Sequence, residues 1–387
     1  MSPVQLAAVL AAVILVASTV SVELGVTVAL LELTLGVAAG NLFHLQTQDW
    51  LDFIAQFGSI VLTFLAGMEV DPAYMRRRLG PSLGLGVVSF VGPFAVTSLV
   101  AYFLLDWSTR ASLIAGTALS TTSLAVVYAV LVERGLTHTA AGKLLMSATF
   151  VTDLCTALTL SAIFIKPNVW FPAFLVVSLA LILVLPRLAP WFFGRYGDRV
   201  IEPEIKLVFA CLLLLMVLAD ASNGHAVLPA FVLGLVMSRH YAEHREEQKR
   251  LRVVAFAFLT PFFFLKGGLN VSLAAVVRNL GLLGILLAAK MVPKLGFLYP
   301  LAHRADRRHG TFITLLMSTG LTFGTISSLY GLNAGIIDKT QFSLLVTVVV
   351  LSAIVPTAIA ERWFLPDAER ELRIDRRVAY AESEEFV

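Results

Sequence analysis

The residue in this sequence with the most chemistry to offer is an aspartate in the middle of an apolar run. Asp153 lies in Ser-Ala-Thr-Phe-Val-Thr-Asp-Leu-Cys-Thr-Ala, residues 147–157, with Thr152 beside it and small or hydroxylated neighbours around it. A carboxylate in such a place can hold a dehydrated alkali cation or a proton, because both compete for the same lone pairs. The plainer reading is a structural aspartate bonded to a neighbouring helix. The preceding apolar run contains Thr117-Ala-Leu-Ser-Thr-Thr-Ser123, after Gly116, so that Ser120, Thr121, Thr122 and Ser123 follow one another. Such side chains compete for backbone groups and suit a helix interior poorly. They suit a broken span whose freed carbonyls coordinate a cation, or, more simply, polar glue between helices. A second candidate break, Ser318-Thr-Gly-Leu-Thr-Phe-Gly-Thr325, brings Thr319, Gly320 and Thr322. Lys290 and Lys294, four apart on one helix face, complete the set. One can pair with Asp153 and be displaced by a cation, while the other snorkels or bonds a broken helix end.

The elements that must position these groups are membrane helices. The 387 residues are 58% hydrophobic and 14% charged, with a mean hydropathy of +0.85. A soluble domain sits nearer half apolar and a quarter charged. Apolar runs of about 20 residues, the length that crosses a bilayer, fall near 3–20, 24–43, 52–70, 82–105, 110–132, 141–165, 170–186, 204–220, 224–239, 253–270, 279–301, 310–331 and 341–364. They are continuous rather than alternating, so an all-α polytopic membrane protein of about thirteen spans is predicted. The first is read as a retained span rather than a signal peptide, because no basic segment precedes it.

Loop charges test the count. Twenty-two of the 29 Lys and Arg fall in one alternate set of loops, including Arg76–Arg78, Arg187–Lys206, Arg239–Arg252, Arg304–Arg308 and the tail. The other set holds only Arg110, Lys166, Arg278 and Lys339. The positive-inside rule then places the N-terminus outside and the C-terminus in the cytoplasm. Residues 1–364 read as one membrane unit and 365–387 as a short charged tail.

Three basic residues remain inside spans: Lys290, Lys294 and Lys266, the last near a span end where snorkelling is expected. Glu32, also within a span, and Glu69 either line a funnel or cap packing at the interface. Asp71 and Asp220 lie near span ends, and Asp220 and His225 flank an outward loop. The two candidate breaks each lie one span before the last of a three-span set, which points to an inverted-repeat transporter with a midplane site. Cys155 and Cys211 lie in apolar runs and offer no disulfide framework. No His-Glu-x-x-His run exists for an intramembrane metalloprotease, so an enzyme is not expected. A channel has no need of a titratable carboxylate. A sodium-coupled organic-solute symporter of similar fold stays open as an alternative.

Four segments together resemble the monovalent cation:proton antiporter-2 family, the Kef-type and related bacterial sodium/proton exchangers. They are Phe64-Leu-Ala-Gly-Met-Glu-Val-Asp71, Ala118-Leu-Ser-Thr-Thr-Ser-Leu-Ala-Val-Val127, Thr149-Phe-Val-Thr-Asp-Leu154 and Pro261-Phe-Phe-Phe-Leu-Lys-Gly-Gly-Leu269. The resemblance covers essentially residues 3–364. It implies a thirteen-helix inverted-repeat fold with two broken, crossing helices, and interleaved dimerisation and core subdomains. It also implies a homodimer in a bacterial or archaeal cell membrane and elevator-type exchange of a monovalent cation for H⁺, with Asp153 carrying each in turn. Lys294 matches the family's core-domain lysine, with Lys290 the competitor. Thr152 departs from the family's acidic or amide residue, leaving one carboxylate, and Thr319-Gly-Leu-Thr322 departs from the Gly-Glu-Phe of Kef-type members. Na⁺ is favoured over K⁺ as the ion; a K⁺/H⁺ antiporter or K⁺ efflux channel-like protein is the alternative. No cofactor, no nucleic acid, no nucleotide-binding domain and no metal beyond the transported alkali cation are expected.

Overall fold

The computed structural model describes residues 2–24, 27–68, 79–137, 139–164, 168–197, 199–222, 224 and 226–367. Glu69, Asp71, Arg76–Arg78, Lys166, His225 and the tail beyond Asp367 lie outside the described residues. Every regular element among those described is helical. In chain order they are α1 (Pro3–Leu24), α2 (Val28–Leu42), α3 (Asp49–Met68), α4 (Leu79–Phe103), α5 (Thr109–Ser120), α6 (Leu124–Glu133), α7 (Ala140–Phe164), α8 (Phe171–Tyr196) and α9 (Pro203–Ala221). There follow α10 (Val227–Glu243), α11 (Arg245–Val254), a π-helical turn (Ala255–Leu259), α12 (Thr260–Leu269), α13 (Leu273–Arg278), α14 (Leu280–Ala305), α15 (Gly310–Met317), α16 (Thr322–Asn333) and α17 (Lys339–Trp363).

Nine helical stretches among the described residues are long and apolar enough to cross a membrane. With the short and interrupted ones included, a helix stands on each of the thirteen predicted runs. The chain is therefore a multi-pass membrane protein. It folds into two compact units, each made of two stretches: 1–72 with 157–273, and 73–156 with 274–387.

In the first unit, helices meet through glycine, as expected where lipid supplies no hydrophobic drive and close backbone approach supplies the dispersion. Gly36 of α2 faces Gly268 of α12 so closely that a Cβ on it would lie 3.1 Å from the Gly268 Cα. Phe57, Phe64, Phe193, Leu212 and Met237 fill the core of this unit. Lys266 corrects the snorkelling expectation. It is buried, and its Nζ pairs with Asp52 Oδ1 at 2.8 Å. Helix continues from Arg245 to Leu269 through the π-turn, with Pro261 directly after that turn.

The second unit carries both interrupted spans: α5–α6, broken at 121–123, and α15–α16, broken at 318–321. Its long helix α14 contains Pro293, which cannot donate to the carbonyl of Ala289 four residues back. Thr97 of α4 donates to that carbonyl instead, at 3.2 Å. Pro293 stands between Lys290 and Lys294 in this helix.

The entry to α15 is fixed by Asp306. One carboxylate oxygen accepts the backbone N–H groups of Arg308 and His309, both at 3.0 Å, and the other meets His309 Nδ1 at 3.0 Å. Partial burial works to raise the Asp306 carboxyl, but the His309 ring and these N–H donors outweigh it and hold the group below the usual carboxylate range. A carboxyl depressed on folding contributes stability that is complete above its unfolded value and lost as pH falls through the folded one. Asp306→Ala should therefore cost about 1 kcal/mol at neutral pH. In thermal unfolding of the detergent-solubilised protein, the gap to wild type should close below about pH 4.

Candidate functional site

The polar content of the second unit concentrates where its two broken helices cross. Thr121 leaves α5 with extended backbone (φ −64°, ψ 156°), and the residues that end and restart the helices satisfy their own termini. Ser120 donates to the Thr117 carbonyl and Thr121 to that of Ala118, each at 3.1 Å. Ser123 accepts from the Val126 N–H at the start of α6, at 3.4 Å. On the other strand of the crossing, Thr319 donates to the Leu316 carbonyl at 2.7 Å. The hydroxyls that mark the breaks in sequence thus close the carbonyls the breaks expose.

The crossing is tight. A Cβ at Gly324 of α16 would lie 2.9 Å from the Ala118 carbonyl oxygen of α5. Thr122 reaches across to donate to the Met317 carbonyl, the last of α15, at 2.9 Å.

Lys294 joins the same knot. Its buried ammonium donates to Ser89 Oγ at 2.8 Å, to Met317 O at 2.9 Å and to Thr122 Oγ1 at 3.0 Å. Three oxygens therefore replace its water, and its charge sits at the C-terminal end of α15, where the helix dipole favours a cation. Lys290 Nζ is also buried and finds no hydrogen-bond acceptor. It lies against Gly320, where a Cβ would collide with it.

Asp153 lies on α7 at 1% exposure, and its Oδ1 accepts no hydrogen bond. It is within electrostatic reach of Lys294. The expected pairing of a lysine with Asp153 is nevertheless not formed: Lys294 spends all three donors on neutral oxygens, and no ion pair involving Asp153 occurs among the described residues. One turn earlier on the same helix face, Thr149 Oγ1 is likewise buried and without a partner. Thr152, the neighbour singled out from sequence, instead directs its hydroxyl to the carbonyls of Ala148 (3.1 Å) and Gly86 (3.3 Å).

The sequence-predicted residues thus divide. Asp153 offers an oxygen with spare capacity. Ser120, Thr121, Thr152 and Thr319 have their hydroxyl protons committed to backbone. Thr122, Gly320, Lys290 and Lys294 belong to the crossing, and Thr322, also buried, opens α16. Sequence reasoning missed Thr149, Ser89 and the Met317 carbonyl. The first was detectable from its spacing of four from Asp153. The other two depend on which helices meet.

A buried carboxylate that accepts no bond from the protein is costly unless something neutralises it. A proton does so, and so does an alkali cation, to which the Thr149 hydroxyl can lend a second oxygen. Thr149→Val is expected to leave thermal stability unchanged, because the lost hydroxyl has no partner. It should raise the cation concentration for half-maximal rate by about tenfold, the worth of one polar ligand, while Thr149→Ser restores it. Cation dependence of exchange in proteoliposomes measures this.

A family model described as sodium/hydrogen exchanger, transmembrane, matches residues 9–364. Among curated proteins, the chain is 26% identical over 343 residues to the probable Na⁺/H⁺ antiporter 3 of Methanocaldococcus jannaschii, covering 85% of this chain and 88% of that one. It is 22% identical to the Na⁺/H⁺ antiporter NhaS4 of Synechocystis, covering 82% and 83%. It is 25% identical to the K⁺/H⁺ antiporter 1 of Saccharomyces cerevisiae, of which it spans 41%. Among solved structures, the sodium proton antiporter MjNhaP1 of Methanocaldococcus jannaschii at pH 8 superposes with a TM-score of 0.69 at 12% identity, over 93% of this chain and 97% of that one.

Proposed function

From the premise that the chain belongs to the sodium/hydrogen exchanger transmembrane family, we propose that it is a secondary active antiporter exchanging a monovalent cation for H⁺ through Asp153. The observation that carries this is the buried carboxylate with an unused oxygen, one helical turn from the unused Thr149 hydroxyl. Cation and proton compete for it, so each is carried when the other is absent. That mutual exclusion is what couples two fluxes without a cofactor. The crossing helices and Lys294 hold the site in place: their termini are closed by neighbouring hydroxyls and by one ammonium rather than by the transported ion.

Na⁺ is our reading of the preferred ion, ahead of K⁺; two relatives quoted above are named for Na⁺ and one for K⁺. One carboxylate exchanging one monovalent cation for one proton favours an electroneutral cycle. The loop charges support an outward N-terminus and a cytoplasmic C-terminus, and the resemblance of the four segments supports a homodimer in a bacterial or archaeal cell membrane.

The test uses proteoliposomes carrying a pH-sensitive dye and an imposed proton gradient. Addition of Na⁺, K⁺ or Li⁺ should dissipate the gradient, and valinomycin with K⁺ should leave the Na⁺-driven rate unchanged. A gradient that persists after all three cations removes the antiport reading.

A further inference from the structure

The two lysines of α14 meet the helix breaks at different points and with different results. Lys294 lies at the C-terminal end of α15, where three oxygens and the negative pole of the helix receive its charge. Lys290 lies against Gly320, in the stretch that leads into α16. Its ammonium is fully buried and bonds to nothing. The helix that starts beside it adds to the imbalance. Leu321 stands at the N-cap of α16, and its apolar side chain closes none of the first-turn N–H groups. That end therefore presents donors and the positive pole of a helix dipole, both of which favour an anion.

Both breaks converge on the same place. Thr121 Oγ1 lies 3.3 Å from where a Cβ on Gly320 would stand, and 3.3 Å from where one on Gly324, in the first turn of α16, would stand. The Thr121 carbonyl oxygen is also near, 3.4 Å from the Gly320 position, yet it takes no hydrogen bond from Lys290. The Thr121 hydroxyl gives its proton to the Ala118 carbonyl and has none to offer. Charge in the interior of this unit is unbalanced as well. Apart from His309, paired with Asp306 at the entry to α15, the buried ionisable groups among its described residues are Asp153, Lys290 and Lys294. Asp153 and Lys294 act on each other and Lys290 acts on Lys294, but no carboxylate among those described acts on Lys290. A buried ammonium with neither a hydrogen bond nor a counter-charge is strongly unfavourable.

We propose that Lys290 Nζ and the N-terminus of α16 form a binding site for a small inorganic anion of the halide class, such as chloride. The donors are one ammonium and backbone N–H groups, which suit a spherical anion that imposes no bond direction. Gly320 and Gly324 bring no side chains to the place, and the tight crossing around them has no room for a bulky organic acid. The bound anion supplies the counter-charge that Lys290 lacks. It matters most while a cation occupies Asp153, when both ammoniums would otherwise stand uncompensated. The site itself does not rest on the antiport reading, because its occupancy is measured with no gradient across a membrane.

Two measurements on the purified, full-length transporter test it. The first is thermal unfolding in detergent as gluconate is replaced by chloride at constant ionic strength. The wild-type midpoint should rise saturably, by about 2–4 °C. Lys290→Met should match or exceed wild type in gluconate and should not respond to chloride. Gly320→Ala, which sets a methyl group against Nζ but keeps the charge, should need about tenfold more chloride for the same rise. The second is anomalous scattering from crystals grown in bromide, which should place a peak beside Lys290 Nζ at the start of α16. A wild-type midpoint indifferent to chloride, as a neutral amine at Lys290 would give, overturns the site. So does a chloride response of equal size in Lys290→Met, or a bromide map with no peak at Nζ. If Lys290→Met fails to fold, Gly320→Ala and the bromide peak decide. A proton gradient that persists in the proteoliposome test would remove the antiport reading and leave these results to decide the site.

Discussion

Asp153→Asn is expected to abolish cation-driven dissipation of a proton gradient, down to the background of protein-free liposomes, while the variant should fold as wild type does. The substitution changes almost nothing in shape. It removes the negative charge and the ability to bind a proton, the two properties that the exchange uses in turn. No structural bond is lost with it, since Asp153 Oδ1 accepts none and no ion pair involves the residue among those described. Removing a buried charge without a partner is neutral or stabilising, so the thermal midpoint should hold or rise. Activity and stability therefore move apart, which a merely structural aspartate would not allow. A variant that still exchanges would remove Asp153 from the site and leave the fold intact.

Lys294→Met carries the second large effect, and here stability and activity fall together. The ammonium closes the end of α15 at Met317 and holds Ser89 and Thr122 in the crossing. Hydrogen bonds to charged groups contribute about 1.5–3 kcal/mol each. Thr122 still donates to the Met317 carbonyl in the variant, so the net cost is about 2–4 kcal/mol rather than the sum of three bonds. Thermal unfolding in detergent should show a drop of several degrees, with exchange slowed because the crossing no longer holds its geometry. Lys294→Gln, whose amide can reach part of the same set, should fall between. Lys290→Met makes the contrast: Lys290 Nζ has no acceptor to lose, so its removal should leave the thermal midpoint unchanged or raise it. Equal destabilisation by the two methionine substitutions would contradict the roles assigned to the pair.

Much of this is visible in the residues themselves. Thirteen runs and the two breaks follow from hydropathy and from hydroxyl and glycine residues that a helix interior tolerates poorly. Asp153 and the lysine pair stand out because ionisable groups are rare and costly in a bilayer. Partnerships are another matter. Lys294 bonds Ser89, 205 residues away, and no local pattern encodes which helices will cross. For the same reason Lys266 read as a snorkelling residue, although its counter-charge, Asp52, lies on α3. The hydroxyls of the breaks were legible as breaks but not as caps. Ser120, Thr121 and Thr319 turn back on their own helices because the carbonyls they reach were freed by the same interruption. Thr149 was overlooked for its more polar neighbour Thr152, which the fold turns toward Gly86.

The central claim is that one carboxylate holds a cation or a proton but not both. It is tested most directly by adding Na⁺ to the purified wild-type protein in weakly buffered solution and counting the protons released. Binding that displaces a proton from Asp153 predicts saturable release of up to about one proton per chain, absent from Asp153→Asn. Saturable Na⁺ binding with no proton release at any pH, or release that survives in Asp153→Asn, would contradict it.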